Sequence, residues 1–218
     1  MKKPKQPFRH GDVFSIPLPD GQFLFGRVVF DVAKQTRKPG VVVSPDNYFT
    51  FFRSSILVDV YRDLQAVSTT DFSEQVLIPG VFTSTTLLDS GVWRVIGNRP
   101  VDPTQVEFPE VFVHSDATAF FERGELFLPT QLTWNEYESL PFRACVNSPY
   151  GIGAMGLNYL GRRDLIEEKY LYPQYLEDDD LRYQPQRRAA LYQQLGEDPE
   201  ESYYQLALRH GLDFARFY

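Results

Sequence analysis

Cysteine is almost absent: Cys145 stands alone in 218 residues. No intramolecular disulfide can form, and no cage of thiolates can hold a metal. Flanked by Ala144 and Val146, Cys145 reads as a small buried hydrophobe and not as a nucleophile. Histidine is nearly as scarce. His10, His114 and His210 lie far apart, with neither an HxH nor an HExxH spacing, so no metal and no cofactor is expected. The serine and threonine pairs lack a GxSxG elbow, and no catalytic residue stands out. Long apolar runs are missing too, since nothing approaches the roughly 18 residues of a spanning helix. Pro4, Gln6 and Pro7 fall where a signal peptide needs an apolar stretch, so a soluble, cytoplasmic chain without a membrane partner is expected. Basic charge is in deficit. The net charge is −7 although Lys2, Lys3, Lys5 and Arg9 crowd the first ten residues, so the rest is strongly acidic. Such a body repels phosphate backbones, which argues against a nucleic-acid partner.

Aromatic residues are plentiful, with 18 Phe and 13 Tyr, a composition suited to sheet faces and contact surfaces. Residues 11–29, GDVFSIPLPDGQFLFGRVV, form a complete hairpin pattern. Phe14, Ile16 and Leu18 alternate onto one face, Pro19-Asp20-Gly21 supplies the turn, and the return strand is apolar on both faces, as a central strand would be. Arg27 inside that strand requires a carboxylate or carbonyl partner. Further strands are expected at Val41 to Val43, Tyr48 to Phe52, Ser55 to Tyr61, Val92 to Ile96, Glu110 to His114 and Glu125 to Leu128, with Val81 to Leu88 extended. Beyond Tyr150 the character becomes helical. A helix is expected over Leu157 to Tyr170 and another over Arg187 to Leu195, bracketed by Pro185 and Gly196. A last helix is expected to start at the capping signature Asp198-Pro199-Glu200-Glu201 and to stop at Gly211. The last two form an antiparallel pair on the sheet. The fold class is therefore α+β: an N-terminal curved antiparallel sheet or small barrel with C-terminal helices packed against it. Residues 1–150 form a mainly β domain and residues 151–218 a helical extension on the same body.

Gly151-Ile152-Gly153-Ala154-Met155-Gly156 matches GxGxxG, but no strand runs into it, so it reads as a turn that starts a helix and not as a dinucleotide site. Arg209-His210-Gly211 closes a terminal helix, the wrong context for a phosphatase motif, and His210 reads as a helix-end or core histidine. The densest charge lies between Glu167 and Asp180, where six carboxylates accompany one lysine. Glu167, Glu168, Tyr170, Tyr172, Tyr175, Glu177, Asp178, Asp179 and Asp180 form an acidic, tyrosine-rich stretch. It is either a solvated loop or a surface that meets a basic partner through steering and aromatic anchors.

The hairpin at 11–29 and the segment Gly91-Val92-Trp93-Arg94-Val95-Ile96-Gly97-Asn98 resemble the immunity protein 26 family of bacterial polymorphic-toxin systems, over roughly the first half of the chain. The positions that carry the resemblance are Gly11, Asp12, Phe14, Ile16, Pro17, Gly21, Gly26, Arg27, Trp93 and Gly97. Most are apolar or turn residues, as fold-building positions would be. The resemblance implies a non-enzymatic protein that binds and neutralises a cognate toxin domain by blocking its active site or substrate access. The partner would be a protein toxin with a basic surface, with the candidate contacts between Glu167 and Asp180. Two alternatives stand beside it. One is a metal-assisted phosphotriester hydrolase, which three scattered histidines supply poorly. The other is a non-catalytic peptide- or protein-binding barrel.

Overall fold

A computed structural model describes residues 6–43, 47–115, 118–141, 146–170 and 176–218. The strands are β1 (Asp12–Pro17), β2 (Phe23–Asp31), β3 (Ser55–Tyr61), β4 (Val76–Ser84), β5 (Arg94–Asn98), β6 (Glu110–Ser115), β7 (Thr118–Arg123), β8 (Leu126–Pro129) and β9 (Val146–Asn147). They form a six-stranded sheet in the order β5-β1-β2-β3-β4-β9 and a three-stranded sheet in the order β6-β7-β8. The fold is α+β, with an N-terminal antiparallel sheet and C-terminal helices. The chain divides into two compact units, one of residues 1–35, 54–101 and 146–174, the other of residues 36–53, 102–145 and 175–218.

In the first unit all neighbours are antiparallel except β9, which pairs parallel to β4. The sheet is open, with β5 and β9 at its edges. The expected hairpin is present: Leu18 donates its N–H to the Gln22 carbonyl at 2.9 Å, and Gly21 turns the chain at φ 84°. Opposed residues share a face, which gives this sheet two cores. On one face Val13, Phe25, Tyr61 and Phe72 cluster, with the Phe25 and Phe72 rings stacked at 4.4 Å. Arg27 lies on that face opposite Asp59 and finds there the partner its sequence position demands: its Nη2 donates to Asp59 Oδ2 at 3.2 Å, while Gly80 N–H fills Asp59 Oδ1 at 2.9 Å. The other face holds Phe14, Ile16, Leu24 and Val60, and the Pro149–Tyr159 helix covers it.

That helix contains the GxGxxG run. The glycines do not form a turn that starts a helix; they lie within it, close against the sheet, and at Gly156 a side chain would collide with it. A Cβ on Gly156 would stand 2.8 Å from Leu24 Cδ1, and one on Gly153 would stand 3.4 Å from Ile16 Cγ2. The helix also ends earlier than the sequence pattern implies, at Tyr159, and short 3₁₀ turns follow at Arg163–Leu165 and Glu168–Tyr170.

The second unit corrects three further expectations. Val41 to Val43 form no strand. Tyr48 to Phe52 is not a strand either: Tyr48–Phe51 is a helical turn, started by Asn47, whose Oδ1 accepts the Phe49 N–H at 2.9 Å. The last helix, Tyr203–Arg209, begins at Ser202, whose hydroxyl accepts the Gln205 N–H at 3.3 Å. The Asp198 carboxylate instead closes a local turn by accepting from Glu200 N–H at 2.9 Å. Gly196 at φ 73° and Gly211 at φ 78° end their helices as expected.

Both C-terminal helices dock on the β6-β7-β8 meander through buried polar groups. Glu110 is fully buried and takes two bonds of 2.8 Å from Arg188 and one of 2.8 Å from the Tyr192 hydroxyl. Arg123, directly opposite on β7, donates to Tyr192 Oη at 3.0 Å, to the Glu201 carbonyl at 3.2 Å and to Glu107 at 2.6 Å. Burial and the Glu110 carboxylate push the Tyr192 phenol well above its ordinary value, so it stays a donor. Tyr203 packs edge-on to Phe108 at 4.6 Å and its hydroxyl accepts the Glu125 N–H at 3.0 Å.

Two outcomes follow for the first unit. A Cβ at Gly26 would lie 2.5 Å from the Phe14 ring, so Gly26→Ala should cost about 1–3 kcal/mol in urea unfolding, partly restored in a Phe14→Leu background. Burial pushes the Tyr61 phenol from 10.0 up to about 12, and its hydroxyl has no partner among the described residues. The folded state therefore holds a proton that the unfolded chain releases, and stability present below pH 10.0 is lost as pH rises toward about 12. Urea midpoints compared at about pH 9 and about pH 11 should fall less for Tyr61→Phe than for the wild type.

Candidate functional site

The first unit carries an open groove of about 290 Å³ on the face covered by the Pro149–Tyr159 helix. Three pieces of chain make it: the end of β1 with its turn, the Leu87 to Trp93 segment, and the helix with the 3₁₀ turns after it. Trp93 forms the floor. It is only 1% exposed and stacks on Phe14 at 4.8 Å with planes 8° apart. Phe14 reaches that position because Gly26 opposite leaves space for its ring. Trp93 N–H donates to the Leu87 carbonyl at 2.9 Å, and its carbonyl accepts from Gln6 Nε2 at 3.3 Å, which fixes the indole's backbone on both sides.

The rim is open and mixes apolar with charged residues. Val92 is 49% exposed and Tyr150 is 50% exposed. The Tyr150 and Tyr170 rings lie parallel, 6° apart in plane and 6.2 Å between centroids. Beside them Lys169 Nζ contacts Glu167 Oε2 at 2.6 Å and stands 4.8 Å from the Tyr170 ring centre. Side-chain hydrogen bonding to Glu167 raises the Lys169 ammonium above its ordinary value. The groove thus offers apolar surface, aromatic planes and one ion pair. It has the make-up of a recognition cleft.

The acidic stretch divides between the two units. Glu167, Glu168 and Tyr170 belong to the first unit, and Glu177 to Asp180 to the second. Tyr172 and Tyr175 lie outside the described residues, as does Cys145. Glu167 and Glu168 are exposed, and so is Asp178 in the short helix Leu176–Asp179, which also holds Glu177 and Asp179. Asp180 differs from them. It is 2% exposed, accepts three bonds of 2.6–3.1 Å from the Arg182 guanidinium, and takes the Glu110 N–H at 3.2 Å. Its carboxylate holds the chain together and is not presented to solvent.

The positions carrying the family resemblance build the first unit. Gly11, at φ 84°, accepts from Arg99 N–H at 2.8 Å, and Asp12 accepts from Asn98 Nδ2 at 2.8 Å and Arg9 N–H at 2.9 Å. Gly97 brings the chain against Thr70, whose Cγ2 would stand 3.1 Å from an added Cβ. Ile16, Pro17 and Trp93 line the groove. Val92, Tyr150, Ala154 and Ile166 line it as well, and sequence reasoning passed over them, because nothing local distinguishes a residue that a distant segment turns into a wall.

Among the described residues no group of three or more His, Cys, Asp or Glu is placed to hold a metal ion. His210 Nε2 meets Glu197 Oε1 at 2.8 Å at the end of its helix, and the His114 ring packs edge-on to Trp134 at 4.3 Å. No helix among the described residues is long and apolar enough to cross a membrane.

These features define an α+β protein with an aromatic-lined groove on an open antiparallel sheet. Residues 9–119 match the family described as Immunity protein 26, and the chain belongs to that family. No curated protein and no solved structure matches it.

The contrast within the acidic run is measurable. Asp180→Asn leaves Arg182 buried without its counter-charge and should cost about 3–5 kcal/mol in urea unfolding. Asp178→Asn should change stability by no more than about 0.5 kcal/mol.

Proposed function

We propose that this protein neutralises a cognate bacterial toxin domain by binding it and blocking its active site or substrate access, with no catalytic step. The observation that carries the reading is the match to the immunity protein family over residues 9–119. Three features support it: the acidic charge of the chain, the exposed carboxylates of Glu167 and Glu168 in the first unit and of Asp178 in the second, and an open groove with exposed apolar residues in the first unit. The partner is a toxin with a basic surface, met in the cytoplasm. Long-range attraction accelerates encounter, while desolvated aromatic contacts hold the complex once formed.

The acidic residues that face solvent give the test. Asp180 is left intact because its loss would unfold the chain locally. A Glu167→Gln, Glu168→Gln, Asp178→Asn triple variant should fold normally. It should associate with the cognate toxin domain, sought among the neighbouring genes, about threefold to tenfold more slowly at low salt, with a flatter salt dependence and little change in dissociation. Stopped-flow association at two ionic strengths reads this out, with growth of cells co-expressing toxin and protein as the functional arm. Wild-type protein that neither binds nor protects would defeat the proposal, and chelator-sensitive turnover of a phosphotriester would replace it with the hydrolase reading.

A further inference from the structure

We infer that the groove of the first unit receives a protruding segment of the toxin, bearing an apolar or aromatic side chain beside an arginine, and that the wall formed by residues 149–170 selects which toxin is accepted. This rests on the toxin-binding reading above.

The shape supports a segment and not a flat docking face. A cleft of about 290 Å³ has room for inserted side chains, with Trp93 buried at its floor. Val92 and Tyr150 stand half-exposed at its mouth, an arrangement a monomer pays for by leaving apolar surface in water. Filling the cleft would remove that surface from water, which is the dominant favourable term in association.

Charge defines the second feature of the occupant. Lys169 already places a cation 2.6 Å from Glu167 and 4.8 Å from the Tyr170 ring centre, so a carboxylate and an aromatic face converge on one cation seat. Lys169 is largely solvent-exposed, and holding it there is worth little. An incoming guanidinium makes two parallel bonds to a carboxylate and stacks on a ring, which a lysine cannot match. The chain's own lysine therefore occupies the seat until a partner displaces it. Glu168, exposed next to it, adds attraction for the same charge.

Position in the chain assigns specificity. Ile16, Pro17 and Trp93 lie inside the family-matched segment, whereas Tyr150, Glu167 and Tyr170 lie outside residues 9–119. One wall lies inside the family match and the other in the second half of the chain, outside it. Discrimination between partners needs contacts that differ between relatives, and the second wall is where they can differ without disturbing the sheet.

The test is a kinetic comparison by surface plasmon resonance, using the full-length protein and a catalytically inactive form of the toxin domain that it protects against. Tyr150→Ala should raise the dissociation rate at least about tenfold with an unchanged urea midpoint, and Val92→Ser should act in the same direction. Lys169→Ala vacates the cation seat and should slow dissociation. Trp134→Ala is the control, because Trp134 is equally exposed, at 49%, but belongs to the second unit. Wild-type rates in Tyr150→Ala, or weakening confined to Trp134→Ala, would overturn the groove assignment while leaving the immunity reading intact. A wild-type protein that does not bind the toxin removes both.

Discussion

The groove depends on a side chain that is not there. At Gly26 the central strand of the first sheet carries no Cβ, and the Phe14 ring lies in the space that one would fill. With Phe14 seated in the sheet, Trp93 can lie flat on it, and the indole at the floor of the cleft is backed by a stacked ring. Gly156 repeats the device from the opposite side, letting the covering helix approach Leu24 and Val60. A sheet with two packed faces needs nearly every strand residue to be apolar or paired. Arg27 and Asp59 meet that demand by bonding to each other, with Gly80 taking the remaining carboxylate oxygen.

The second unit solves a different problem by different means. Its three-stranded meander is too small to bury much apolar surface alone, and the two terminal helices complete its core. The junction is ionic. A buried carboxylate is costly unless every lone pair is occupied, and Glu110 is supplied by Arg188, Tyr192 and Arg123, with Asp180 and Arg182 a neighbouring pair. Such a network fixes which residue meets which. It also explains why charge density along the sequence is a poor guide to surface charge here: of two aspartates two positions apart, Asp178 faces water and Asp180 is internal.

The sequence discloses elements whose signals are local. The 11–29 hairpin, the strand after Trp93, the need of Arg27 for a partner and the glycine stops at 196 and 211 all follow from alternation, turn chemistry or burial of charge. Where distant contacts decide, the local signal misleads. The aromatic run Tyr48 to Phe52 alternates like a strand, yet Asn47 starts a helical turn there. The glycines of 151–156 look like a loop, yet they are the small face of a helix pressed on a sheet. The change of character beyond Tyr150 is a change of secondary structure, whereas contacts place residues 146–174 with the first sheet and 175–218 with the second. The groove was hidden for the same reason, since its two walls are separated by more than fifty residues of chain.

The proposed recognition cleft joins a wall inside the family-matched residues 9–119 to a wall outside them. Amide hydrogen exchange on the protein with and without its toxin domain addresses this claim without any substitution. Toxin binding is expected to protect the backbone around Val92 and Trp93 and from Tyr150 to Tyr170, with little change along β6 to β8. Protection confined to the second unit, with the Trp93 and Tyr150 segments exchanging as in the free protein, would contradict it.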